Sequence, residues 1–204
     1  MLPYIEWTKE SIEQFLNDKL KRRGINPWEY EFLVTYLNKI QPEVIIDVGT
    51  FLGISGYILG TSSPKLEKLY AIENINDESF VVFNHDGKDI PKSDYGKYLP
   101  EYCDFRTHGY HNDLLSILKE NEGKKTFVYL DAKKTMEGVL HELQICHEGK
   151  AKYIGMHDTS IWYKRPRRAM KQSIRLGWFE LIDEAYIEDT GMKSKGVSIL
   201  KGKE

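Results

Sequence analysis

The chain has 204 residues, 41% hydrophobic and 29% charged, which is apolar material for one sizeable core and too much for a disordered chain. Lys and Arg number 29 against 31 Asp and Glu, a formal net charge of −2 that argues against a protein whose main work is coating nucleic acid or an anionic membrane. Cys103 and Cys146 form no CxxC pair, no apolar run nears the roughly 20 residues needed to cross a bilayer, and Met1–Trp7 lacks the form of a secretory signal. A single soluble cytoplasmic domain spanning 1–204 is the expectation.

Two helical patterns come first. Thr8-Lys9-Glu10-Ser11 opens one, with Ile12, Phe15, Leu16 and Leu20 at helical spacing. The second starts at Asn26-Pro27, carries Phe32, Leu33, Tyr36, Leu37 and Ile40, and is broken at Gln41-Pro42. Together, residues 1–40 form a helical cover for the site or a surface for association into a homodimer. Val44-Ile45-Ile46-Asp47-Val48-Gly49 follows, an apolar run without polar alternation, as expected of a strand covered on both faces of a parallel sheet. Leu69–Glu73, Thr126–Asp131 and Tyr153–Asp158 repeat the pattern, each ending in an acid. Helical stretches at Ile54–Gly60, Asn112–Asn121 and Met136–Cys146 lie between them, so βαβ units are predicted. Trp178–Ile182 and Gly196–Leu200 read as two more strands, joined by a polar stretch and therefore antiparallel. Residues 74–102 fit neither pattern, and a span this long is expected to be a lid or substrate-binding insert, or else a surface excursion.

Asp47-Val48-Gly49-Thr50-Phe51-Leu52-Gly53-Ile54-Ser55 joins a predicted strand to a predicted helix. Glycines at such a turn let a flat ligand lie against the backbone, at the strand ends where open α/β sheets bind ligands. Gly49 and Gly53 are four apart with no glycine between, which departs from the GxGxxG of dinucleotide sites, and no Gly-Lys-Ser/Thr of a phosphate loop follows. Glu73, at the end of the next strand, is placed to accept hydrogen bonds from a ribose diol. The bland alternative is a tight turn followed by a solvated acid.

Asp47-x-Gly49-x-x-x-Gly53-x-Ser55 resembles the first motif of class I S-adenosylmethionine-dependent methyltransferases, and Ile72-Glu73 resembles their second. The resemblance runs from about Asn26 to the C-terminus. It implies a doubly wound, mostly parallel seven-stranded α/β sheet with an antiparallel last strand. It also implies that Gly49 and Gly53, with Thr50 and Ser55 beside them, line the methionine end of S-adenosylmethionine. Asp47 then takes its amino group and Glu73 its ribose hydroxyls.

Asp131 and the pair His157-Asp158 end two later strands. If those strands are neighbours, two carboxylates and an imidazole converge on the crevice, a donor set suited to Mg²⁺ or Mn²⁺. A divalent cation would acidify and position an acceptor hydroxyl, and Lys134 would take its proton. Asp131-x-x-Lys134 resembles the small metal-dependent O-methyltransferases of the catechol and caffeoyl-coenzyme A type, which implies Asp131 as metal ligand facing the cofactor and Lys134 as base. His157-Asp158 stands where those enzymes carry Asp-Asn, and His-Asp-Thr with Glu137-Gly138-Val139 is more similar to a related bacterial branch. There His157 is the base and no metal is needed. Against these stand plainer roles: Asp158 as a turn cap, His157 as a structural histidine, Lys134 as a surface lysine.

Beyond Asp158, residues 159–177 hold no acid, while Lys164, Arg165, Arg167, Arg168, Lys171 and Arg175 accumulate behind Trp162 and Tyr163. Either an anionic small-molecule acceptor or a solvated helix face accounts for this; the overall charge disfavours RNA. Tyr110-His111-Asn112 either touches the adenine or starts a helix. The leading expectation is O-methylation of a small molecule. A non-catalytic methyltransferase-like module and a nicotinamide-dependent oxidoreductase remain as rivals.

Overall fold

The apolar runs marked as strands are covered on both faces. In the computed structural model, which describes residues 2–20, 26–74, 90–107, 110–186 and 195–203, every residue of β1 (Val44–Val48) and β4 (Thr126–Leu130) is buried. Side chains alternate along a strand, so Val44, Ile46 and Val48 enter one layer and Ile45 the other. Helices α1 (Lys9–Leu20), α2 (Pro27–Ile40) and α3 (Ile54–Gly60) close the second layer, packing Ile12, Leu33, Leu37 and Ile58 around Ile45, Phe127 and Tyr129. Helices α4 (Tyr110–Glu120), α5 (Met136–Glu148) and α6 (Lys164–Arg175) close the first with Leu114, Ile117, Leu143 and Met170. Each such fully buried side chain contributes about 1.5–3 kcal/mol.

The remaining strands are β2 (Lys68–Ile72), β3 (Asp104–Arg106), β5 (Tyr153–His157), β6 (Phe179–Ala185) and β7 (Val197–Gly202). They form one seven-stranded sheet in the order β3-β2-β1-β4-β5-β7-β6. Neighbours among β1–β5 pair in parallel, and β7 runs antiparallel to both β5 and β6. The predicted doubly wound sheet with its antiparallel last strand therefore forms. β3 has no counterpart among the predicted strands, because Phe105 is its only apolar residue. α6 starts two residues before Pro166, which is tolerated because the first-turn N–H groups have no intrahelical acceptor.

Register fixes what meets at the carboxyl edge. Val48 pairs with Ile72, so Gly49 and Glu73 emerge side by side, and Leu130 pairs with Met156, so Asp131 and His157 do the same. Of the expected insert, residues 75–89 lie outside the described residues. The rest folds onto the glycine loop: the Gly96 N–H donates to the Phe51 carbonyl (2.7 Å) and the Tyr98 N–H to that of Leu52 (2.9 Å). Among the described residues, no helix is long and apolar enough to cross a membrane.

Candidate functional site

The glycine loop turns where the sequence predicts. Gly49 has φ +89° and Gly53 φ +90°, a region that side chains strain to enter. A Cβ on Gly49 would lie 2.7 Å from the Ala132 backbone nitrogen, so β4's exit loop closes against this turn. A Cβ on Gly53 would lie 2.7 Å from Leu99, which also covers Gly56. Beneath the loop, Asp47 is wholly buried; its Oδ2 accepts from the Ser55 hydroxyl (2.7 Å), while its Oδ1 has no hydrogen-bond partner among the described residues. Burial, opposed by the Thr50 and Ser55 hydroxyls, pushes the Asp47 carboxyl up to about 7. Glu73 Oε2 accepts the Phe51 N–H (2.7 Å) and Oε1 its neighbour Asn74's (2.9 Å). Burial raises the Glu73 pKa despite these two donors.

At the ends of β4 and β5 the expected residues do converge. Asp131, His157 and Asp158 each offer a donor atom, all within 4.8 Å of one another. Their present bonds matter more. His157 is 3% exposed; its Nδ1 lies 2.8 Å from Asp131 Oδ1 and its Nε2 3.4 Å from Glu29 Oε2. Burial alone would lower the His157 pKa, but Asp131, Glu29 and Asp158 outweigh it and carry it up to about 9. Lys134 bonds Asp131 Oδ1 and lies 2.7 Å from Asp158 Oδ2. Burial disfavours both the Asp131 carboxylate and the Lys134 ammonium, yet His157 and Lys134 hold Asp131 low, and Asp131 with Asp158 holds Lys134 high. Asp158 adopts φ +57°, a left-handed turn that aspartate tolerates. The turn after it is pinned by the Thr159 and Ser160 N–H groups, which donate to the carbonyls of Gly196 and Lys195.

Glu29 is the residue that sequence reading missed. It is wholly buried in the first turn of α2, accepts the Gly196 N–H (2.8 Å) and the Asn26 N–H (3.0 Å), and reaches His157. Its spacing from Asn26 marks a helix start, but its reach across 128 positions to His157 leaves no local trace. Tyr110 opens α4 and its hydroxyl donates to Glu142 of α5, whose carboxyl burial pushes up to about 7. Tyr110 thus serves the helix pair.

A cavity of about 330 Å³ opens beside the charged cluster, lined by Lys134, Asp158, Trp162, Tyr163, Lys164, Arg165 and Pro166. Trp162 is 53% exposed and neighbouring Ile161 44%. Arg167 is turned away from this basic group. Its guanidinium donates to the Thr159 carbonyl (2.6 Å) and pairs with Glu184 (3.0 Å).

No family model matches the sequence, and no curated protein sequence is a significant match. Solved structures do match along nearly the whole chain. The O-methyltransferase TomG from Streptomyces achromogenes, in complex with SAM, aligns with TM-score 0.59 and 15% identity over 100% of this chain and 93% of its own. An O-methyltransferase from Bacillus cereus in complex with SAH gives 0.62 and 16% over the same shares. Cofactor-bound Rv0187 from MTB gives 0.63 and 12% over 98% of this chain and 100% of its own. At these identities the likeness is one of fold, and the chain has the class I methyltransferase fold.

Proposed function

We propose that this chain is an S-adenosylmethionine-dependent methyltransferase acting on an oxygen of a small molecule that carries an anionic group. The observation that supports it best is the gathering of Asp47, Glu73, Asp131, His157 and Asp158 at one carboxyl edge of the sheet, around a crevice where α/β sheets take their ligands. The chain's residues suit the cofactor. The Asp47 oxygen, unpartnered among the described residues, is a buried acceptor fit for an ammonium, and the Thr50 hydroxyl lies beside that carboxylate. Glu73 has spent two of the roughly four acceptor sites of a carboxylate, which leaves two for a ribose diol. When bound, S-adenosylmethionine supplies an electrophilic methyl group, and its transfer makes an oxygen–carbon bond as the methyl–sulfur pair returns to sulfur. The cavity beside Lys134 and Trp162 is a size for a small acceptor, at the low end of ligand pockets of roughly 300–1,000 Å³. Lys164 and Arg165 give that cavity a positive rim.

A metal-assisted form of the reading would use Asp131, His157 and Asp158 with Mg²⁺ or Mn²⁺. These residues do not fit an ion as they stand: Lys134 holds the two aspartates, and both His157 nitrogens face carboxylates.

Calorimetry tests the reading. S-adenosylmethionine should bind with micromolar affinity, the Glu73→Ala variant should lose most of it, and NADH should not bind. Absence of binding by either cofactor would refute the enzyme and leave a non-catalytic module.

A further inference from the structure

The charges beside the cavity are tied to one another, with only Asp158 Oδ1, of their buried atoms, lacking a hydrogen-bond partner among the described residues. Asp131, Asp158 and Glu29 are three carboxylates, and His157 and Lys134 are the two cations between them. Lys134 bridges the two aspartates, three residues from one and across the β4–β5 gap from the other. An ammonium carries three N–H donors, and the aspartates take two. Lys134 also lines the cavity, and its side chain is 41% exposed, so it reaches both the cluster and whatever fills the space. The nitrogens placed to act as bases are spoken for: each His157 ring nitrogen faces a carboxylate, and Lys134 is held as the ammonium by two.

Resting on the methyltransferase reading, we propose that Lys134 is the resident cation of the acceptor site in place of a metal ion, and that it receives an oxygen acid already ionised at neutral pH. Such an acceptor brings its own lone pair and has no proton to lose, so the engagement of His157 and Lys134 by carboxylates leaves nothing wanting in the site. Carboxylates and strongly acidic enols or phenols belong to this class. Lys164 and Arg165 at the rim turn the excess negative charge of the cluster into a net positive charge for the cavity as a whole. Trp162, half exposed at its edge, gives a planar acid an apolar face to lie on.

The test uses the full chain and two probes, with no turnover needed. Mn²⁺ binding is followed by electron paramagnetic resonance. The wild-type protein should leave millimolar Mn²⁺ free, whereas Lys134→Ala should bind one equivalent through the released aspartates, and Asp131→Asn in that background should abolish it. Benzoate and its neutral analogue benzamide are then compared by ligand-observed NMR. Benzoate should bind at least about tenfold tighter to the wild type, and Lys134→Met should erase the preference. Stoichiometric Mn²⁺ binding by the wild type, lost in Asp131→Asn, would overturn the proposal whatever the variants do. So would equal binding of the two aromatics, or a cooperatively melting Lys134→Ala that gains no Mn²⁺. S-adenosylmethionine calorimetry on the same samples separates the two readings. Loss of cofactor binding alone, with the Mn²⁺ pattern intact, refutes the methyltransferase and leaves Lys134 as the cation of an anion-binding module.

Discussion

Raising the pH should dismantle the Glu29–His157–Asp131 arrangement from its centre. His157 is almost wholly buried, and its pKa stands near 9 in the folded protein against 6.5 for a free imidazole. A folded pKa raised above the unfolded one means that the native state binds the extra proton. The stabilisation is complete below about pH 6.5 and disappears as pH rises through about 9. The difference of about 2.5 units corresponds to about 3 kcal/mol, falling by about 1.4 kcal/mol per unit within that window. Asp131 stays ionised throughout, since its pKa is held low, so it adds nothing to the slope. Urea denaturation of the wild type and of His157→Gln, at intervals from about pH 6 to pH 10, isolates the effect, because lysine and tyrosine titration is common to both proteins. The gap between the two curves should close as pH rises. Curves that run parallel across the range would refute the doubly bonded imidazolium, and so would an NMR titration of His157 with its midpoint below 7.

Other perturbations separate binding from folding. Asp47→Asn removes a buried carboxylate whose pKa of about 7 makes the free protein lose stability as pH climbs from about 4 to 7. That variant should therefore be more stable at pH 8 by about 1 kcal/mol or more, while S-adenosylmethionine affinity falls at least about tenfold, as read by urea midpoint and calorimetry. Gly49→Ala and Gly123→Ala enter the same region of φ (+89° and +88°), but only the first Cβ meets a wall, the Ala132 backbone. The urea midpoint should report a loss at Gly49 larger by at least about 1 kcal/mol. Tyr110→Phe takes a hydroxyl from buried Glu142 and should cost about 1–3 kcal/mol at pH 8 but less at pH 5, where the carboxyl is protonated; equal losses would refute that assignment.

The parts of the fold that were legible in the sequence are those whose signal is local. Val44–Val48 and Thr126–Leu130 announce themselves because a strand buried on both faces cannot afford polar alternation, and Ile54–Gly60 was bounded by its own glycine turn. β3 was not legible: at three residues with one apolar side chain, its pairing with β2 depends on tertiary contact. The candidate site divides in the same way. Asp47, Gly49, Gly53, Glu73, Asp131, His157 and Asp158 stand at strand ends, where chain order already tells which edge they share. Their bonding partners are non-local. Nothing near Lys134 in the sequence distinguishes a base beside a metal from an ammonium between two aspartates, since both need Asp-x-x-Lys. The basic run of α6 was ambiguous for a similar reason. Arg167 belongs to Glu184 on β6, and only Lys164 and Arg165 line the cavity.

Strand parity explains why Glu29 meets His157 at all. Phe127 and Tyr129 point into the layer that holds α2, so Asp131, two residues on, projects to that same side. In β5 the alternate residues Ile154 and Met156 enter the opposite layer, which turns His157 toward α2 as well. Asp47 follows Ile45 by the same rule, into the layer where α3 brings Ser55. Three polar residues at three strand ends therefore face the helices at the start of the chain, and a carboxylate in the first turn of α2 completes the set. The segment expected to be a cover is thus also part of the site's wiring. Glu29 joins the start of α2 to the Gly196 turn before β7 and to the imidazole that positions Asp131. A Glu29→Gln substitution would keep the shape and remove the charge. It follows that such a change should lower the His157 titration midpoint without moving α2, which makes Glu29 a positioning residue that acts on the proposed acceptor site through His157 and Asp131.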